Sequence, residues 1–162
     1  MKKIILSLSI LFLITGNVFS AGSSSSDDNA KTKSNYEKAV THIEAAKKHE
    51  KKGKLEKANK RYAKAQGLLI KSNNKKPNDA DTLNYLGFTT RKLGDFENGE
   101  KYYLQGLAID PNHKGINEYL GELYVATKRH NLAVERLEVL KGCNCDEYKQ
   151  LKAVIAGEPS KY

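Results

Sequence analysis

The stretch Leu83–Pro111, LNYLGFTTRKLGDFENGEKYYLQGLAIDP, decides how the rest of the chain is read. Leu83, Leu86 and Gly87 fall on one face of a helix. Gly94 interrupts that pattern. Phe96, Gly99, Tyr103 and Gly106 then share one face of a second helix, and Pro111 closes the unit. Two closely packed antiparallel helices need this alternation, because small residues let the backbones approach while large ones fill the spaces between them.

The flanking sequence extends the same logic in both directions. Upstream, Tyr36, Ala39, Val40, Ile43 and Ala46 keep a helical spacing until Gly53, and Leu55, Ala58, Tyr62, Ala65, Leu68 and Leu69 form a second stripe. Gly53 to Gly94 is a step of 41 residues, so the second helix runs on past Ile70 until Ser72–Pro77 ends it. Downstream, Leu120, Gly121 and Tyr124 match one first helix, and Ala133, Leu137 and Leu140 match its partner. Asn117 stands where a large apolar residue is usual, and Lys128 and His130 replace the turn glycine and the aromatic. From Asp146 a last helix carries Tyr148, Leu151, Val154 and Ile155, and Gly157 and Pro159 stop it. Asn78 or Asp79, Asp95 and Asn112 are the expected N-caps inside the array.

The order Leu-x-x-Leu-Gly, Gly-x-Phe, small, Tyr, small, Pro resembles a tetratricopeptide (TPR) repeat, covering both helices and the terminal proline. Gly99 and Gly106 stand where that family prefers alanine, at a cost of roughly 1 kcal/mol each in helix propensity. The resemblance implies an all-α, TPR-type right-handed superhelix of three helix hairpins plus a C-terminal capping helix. Its repeats fall at about 39–77, 80–113 and 114–145, with the cap at 146–156, all within a domain at 34–157 followed by a tail at 158–162. The first repeat is degenerate, with His42 at a large apolar position, as terminal repeats often are.

The first 33 residues read differently. Lys2 and Lys3 precede an apolar run, Ile4–Ile14, and Val18-Phe19-Ser20 ends on a small residue. This is the layout of a secretory signal peptide over 1–20, with cleavage expected after Ser20 and an uncleaved anchor as the alternative. The run is shorter than the ~20 residues of a spanning helix. Residues 21–33, with Ser23–Ser26 and Asp27-Asp28-Asn29, read as a disordered Ser-rich linker. The expected location is the periplasm or the exterior of a bacterial cell.

The formal charge is +9, unevenly placed: 31–76 holds fifteen Lys/Arg against four Asp/Glu, whereas 77–162 holds eleven against thirteen. The basic half predicts weak attraction to anionic surfaces, and a solvated lysine-rich face explains it equally well. The sequence carries no phosphate-cradling glycine loop, no His-Glu-x-x-His and no nucleophile in a recognisable turn. No catalytic role, cofactor or metal is therefore assigned. His42 and His49 share a helix face without a nearby carboxylate or cysteine to complete a metal site. Cys143 and Cys145 are the only cysteines, and an oxidising compartment favours joining them. A structural clip, an intermolecular or redox pair and metal binding all remain open at this point.

TPR domains are generally not enzymes; their first helices line a groove that holds peptides or partner helices. Carried onto this chain residue by residue, the family's groove positions make Lys47, Asp81, Asn84, Phe88, Arg91, Glu118 and Glu122 the candidate partner-binding residues. Of the positions that clamp a C-terminal carboxylate in some members, only Lys47 fits, so that clamp is not expected. The leading expectation is an adaptor for a protein or peptide, not for nucleic acid. The alternative is a self-associating structural module of an envelope assembly. Nothing in the sequence sets the oligomeric state.

Overall fold

A computed structural model describes residues 33–161 of the chain. The expected signal peptide at 1–20, its cleavage site and nearly all of the linker at 21–33 lie outside the described residues. Among the described residues seven helices follow one another: α1 (Asn35–Glu50), α2 (Leu55–Lys75), α3 (Ala80–Lys92), α4 (Phe96–Ile109), α5 (Lys114–Ala126), α6 (His130–Leu140) and α7 (Asp146–Ile155). They pair as α1–α2, α3–α4 and α5–α6, and α7 packs on both helices of the last hairpin. The all-α, TPR-type plan of three hairpins and a capping helix is thus the observed one.

Local signals explain where the helices begin. Ser34 forms a full capping box with Glu37, and the Asp79 and Asp95 side chains accept from the backbone N–H groups of Thr82 and Asn98. Such bonds satisfy amide donors that the first helical turn leaves without partners. The expected cap at Asn112 is corrected to His113, whose Nδ1 accepts from Ile116 N at 3.1 Å. Asn112 instead belongs to the turn, its N–H donating to Asp110 Oδ1 at 3.1 Å. The long step between the first two repeats appears as α2, which at 21 residues is the longest of the described helices. Gly53 and Gly94 turn their hairpins with positive φ, and Lys128 adopts φ of 63° in the third.

Two stripe residues, Leu55 and Phe96, are exposed rather than in the core, because each sits on the first turn of its helix beside the hairpin bend. The core runs instead through Ile43, Tyr62, Leu69, Leu86, Phe88, Tyr103, Ile116 and Leu120. Small residues set the helix spacing as the pattern required. A Cβ on Gly87 would lie 2.5 Å from the Tyr103 ring, and one on Gly121 would lie 2.5 Å from Leu151 of α7. The Tyr103 ring is fully buried and has little room to give. Gly87→Leu is therefore expected to overpack the α3–α4 contact and cost about 1–3 kcal/mol. Urea unfolding of the variant checks this, and an unchanged midpoint would contradict the contact.

Asn117, the apparent defect in α5, is fully buried and donates from Nδ2 to the Pro111 and His113 carbonyls at 3.0 and 3.1 Å. It ties the α4–α5 turn to the helix that follows, so its polarity is used rather than tolerated. Glu50 accepts from the Tyr62 hydroxyl at 2.6 Å within the first hairpin and pairs with Lys92 of the second at 2.7 Å. Arg129 engages both carboxylate oxygens of Glu100 at 2.9 and 2.7 Å. Cys143 and Cys145 are joined by a disulfide in the α6–α7 turn, and Cys145 is the N-cap of α7.

Candidate binding site between α3, α5 and α7

The first helices of the second and third hairpins carry most of the candidate partner-binding residues. Asp81, Asn84, Phe88 and Arg91 recur every three or four residues on α3, and Glu118 and Glu122 do so on α5. The structure brings these side chains together, but it corrects their accessibility. Phe88 is fully buried, and Asn84, Glu118, Glu122 and Arg91 expose only 6, 4, 2 and 9% of their surface. The Phe88 ring meets Tyr62 edge-on at 5.7 Å and Tyr119 at 4.9 Å, with Lys47 Nζ 5.1 Å from its centroid. It is a core residue, and so it cannot serve as an apolar anchor for a peptide. Only Asp81 among the seven is exposed, and Lys47 is half-buried.

Arg91 and Glu122, both expected to face a partner, do not present their charges to one. They bind each other, Nη2 to Oε2 at 3.0 Å, inside the protein. Burial opposes the Arg91 charge, but Tyr103 and Glu122 more than restore it, so its pKa lies above the usual guanidinium value. The remaining capacity of Glu122 is met from outside the repeats. Past α7, Ser160 donates its hydroxyl to the Glu122 carboxylate, 3.0 Å from each oxygen. The segment Gly157–Lys161 therefore lies over the buried ion pair.

Two cavities open next to this segment. One, of about 730 Å³, is walled by Asp81, Asn84, Tyr85, Gly115, Glu118 and Glu147, and Lys161 reaches it. The other, of about 510 Å³, is walled by Leu55, Phe96, Arg91, Val125 and Val154, and Ser160 reaches it. The two exposed stripe residues thus become the apolar wall of a surface cavity. Asp81 is held by His113, whose Nε2 lies 3.1 Å from Oδ1. Glu118 is the most perturbed acid here. Burial first, then the charges of Glu122 and Glu147, push its pKa up to about 8 against the opposing pull of Lys47 and Arg91. It therefore keeps its proton at neutral pH.

The basic first hairpin is a separate surface. His49, Lys57, Lys60, Arg61 and Lys64 surround a shallow depression, and Arg61 meets His42 Nδ1 at 3.1 Å. Partial burial and then Arg61 and Lys64 hold the His42 pKa below its ordinary value, which suits a neutral, solvated role. Among the described residues no cluster of three or more His, Cys, Asp or Glu side chains is placed to hold a metal. Likewise no described helix is long and apolar enough to cross a membrane.

No family model and no curated protein matches the chain. It is similar to several solved structures at low identity. The TPR domain of OM64 from Arabidopsis is 16% identical, over 75% of this chain and 97% of that one, with a TM-score of 0.48. The type III secretion translocator chaperone SycD of Yersinia enterocolitica is 19% identical, over 73% and 86%, with a TM-score of 0.47. The first TPR of Spaghetti (RPAP3), solved with an HSP90 peptide, is 19% identical, over 75% and 96%, with a TM-score of 0.45. The order of the helices, the glycines that let α3 and α4 meet and the cap formed by α7 make the fold of this chain a TPR-type hairpin stack.

Proposed function

We propose that the chain is an exported adaptor, periplasmic or secreted, that binds an extended segment of a partner protein in the channel between α3, α5 and α7. One observation carries the reading: the chain's own segment Gly157–Lys161 already crosses that channel, anchored by Ser160 on Glu122. A face that receives one non-helical segment supplies the polar groups and the room that another would use. The signal-like Met1–Ser20 supports the exported setting. The basic α1–α2 hairpin acts through long-range attraction, which salt screens within about 8–10 Å. It raises encounter rates without choosing a shape.

A photo-crosslinking amino acid tests this. Placed at Tyr85, on the channel wall, it is expected to trap the partner in intact cells; placed at Lys60, on the basic hairpin, it is not. Neutralising Lys57, Lys60 and Lys64 together should lower the association rate and its salt dependence and leave the crosslink at Tyr85. Crosslinks confined to Lys60, or their complete loss in the triple variant, would make the protein an electrostatic surface binder instead.

A further inference from the structure

We propose that the cavity walled by Asp81, Asn84, Gly115, Glu118 and Glu147 is a receptor for a lysine or arginine side chain presented by the partner polypeptide. This names the ligand chemistry of the channel and rests on the adaptor reading above.

The charge of the cavity is the first argument. In a chain of formal charge +9, its wall gathers the carboxylates of Asp81, Asp110, Asp146 and Glu147 and the protonated Glu118, against His113, Lys114 and Lys161. Acidity alone would not make a site; two buried acceptors do. Glu118 and Asn84 both line the cavity, and their Oε1 and Oδ1 atoms are buried and accept no hydrogen bond within the protein. Buried acceptors without donors are uncommon, because each gives up its water for nothing in return. A ligand bearing several N–H groups answers both acceptors at once, and ammonium and guanidinium groups are donor-only cations.

The position of Asn84 is itself built. Gly115 faces it across the α3–α5 contact, and a Cβ there would come within 2.9 Å of Asn84 Nδ2. The absent side chain leaves the amide room to stand at the cavity wall. The third argument is the segment after α7. Ser160 fastens it to Glu122, and the next residue, Lys161, lines this same cavity. The chain thus leads a non-helical backbone, with a basic side chain, to the acidic wall. A partner segment running the same way would deliver its own, which favours a polypeptide over a small free amine.

The state of Glu118 fits this occupant. Glu122 on its own helix, Glu147 on α7, Lys47 on α1 and Arg91 on α3 surround it, with Asp81, His113 and Lys161 around the cavity. With no cation bound it holds its proton up to about pH 8. A bound cation favours the carboxylate, so binding should tighten as pH rises from about 6 to about 9.

The test is a nuclear magnetic resonance titration of the full exported chain with a capped Gly-Ser-Lys-Gly peptide, its norleucine counterpart, and butylamine. The lysine peptide is expected to shift the Asn84 side-chain amide and the Gly115 backbone amide, and to bind more tightly at the higher pH. Glu118→Gln should weaken it by about tenfold, as for loss of a charged hydrogen bond. Lys161→Ala should strengthen it by removing a competing cation. Equal binding of the norleucine peptide, shifts confined to the basic hairpin, or indifference to Glu118→Gln would overturn the proposal. Butylamine binding as tightly as the peptide would overturn the polypeptide as occupant. If the Tyr85 crosslink forms in the parent chain while the lysine peptide fails to bind that same chain, the adaptor reading stands and this inference falls.

Discussion

Replacing Arg91 with alanine is expected to destabilise the domain by about 3–5 kcal/mol, the cost of breaking a buried ion pair by removing one partner. Arg91 and Glu122 are both buried, and their 3.0 Å contact joins α3 to α5 across the second and third hairpins. The variant strands the Glu122 carboxylate, which keeps the Ser160 hydroxyl as a donor. It also removes the guanidinium that lies 5.8 Å from the Phe88 ring and 5.9 Å from Tyr119. Much of that cost comes from the stranded charge. The double variant Arg91→Met, Glu122→Leu should therefore recover most of it, because replacing both members of a buried pair by apolar residues is often close to neutral. Urea unfolding of the single and double variants decides the matter. An Arg91→Ala protein within about 0.5 kcal/mol of the parent, the range of an ordinary surface change, would mean the pair is solvated in solution.

The stability of the domain is expected to fall as pH rises from about 4.5 to about 8, and Glu118→Gln should remove most of that fall. The folded Glu118 carboxyl keeps its proton up to about 8, while the unfolded one releases it near 4.5. Between those values the folded state binds more protons, so raising the pH favours unfolding. Below the lower value and above the upper one this contribution is flat. At about 1.4 kcal/mol per unit of pKa difference, the window spans on the order of 3–5 kcal/mol. The comparison with Glu118→Gln matters because Asp79 and Asp95 act in the opposite direction. Their carboxyls are held low in the fold, despite burial at Asp79, by the Lys76 and Thr82 bonds there and by the Asn98 bonds at Asp95. Their contribution is present above the unfolded carboxylate value and is lost as pH falls through the lower folded one. The difference between parent and variant melting curves across pH isolates Glu118. A constant difference would place that carboxylate in contact with water.

Helix positions were legible because each depends on neighbours in sequence. The apolar stripes, the glycines at 53 and 94 and the proline at 111 are all local signals, and even the extra length of α2 followed from one long step. What failed depends on distance. Phe88, Arg91, Glu118 and Glu122 occupy first-helix positions that a longer or wider superhelix leaves open. Here the stack is short, Lys47 lies over Phe88 from α1, and the segment after α7 lies over Glu122. Nothing in the local pattern of α3 or α5 announces either covering group. Asn117, polar where a large apolar residue is usual, is explained locally, since its acceptors at Pro111 and His113 lie in the turn just before its helix. Asn112 misled because Pro111 carries the chain one residue further before the helix begins. The disulfide was the easier inference: two neighbouring cysteines in a chain with an export-like start have each other as the nearest partner.

The hydrogen bond from Ser160 to Glu122 also makes the chain a ready-made optical reporter. A small environment-sensitive fluorophore attached at position 161 would rest at the mouth of the channel, against its acidic wall. A partner segment entering the channel must displace it, and a dye moving from a lined cavity into bulk water changes its emission. The same geometry warns against fusing a folded tag at that position. The tag would stand in the channel mouth, and a failed binding assay would then report the tag rather than the protein.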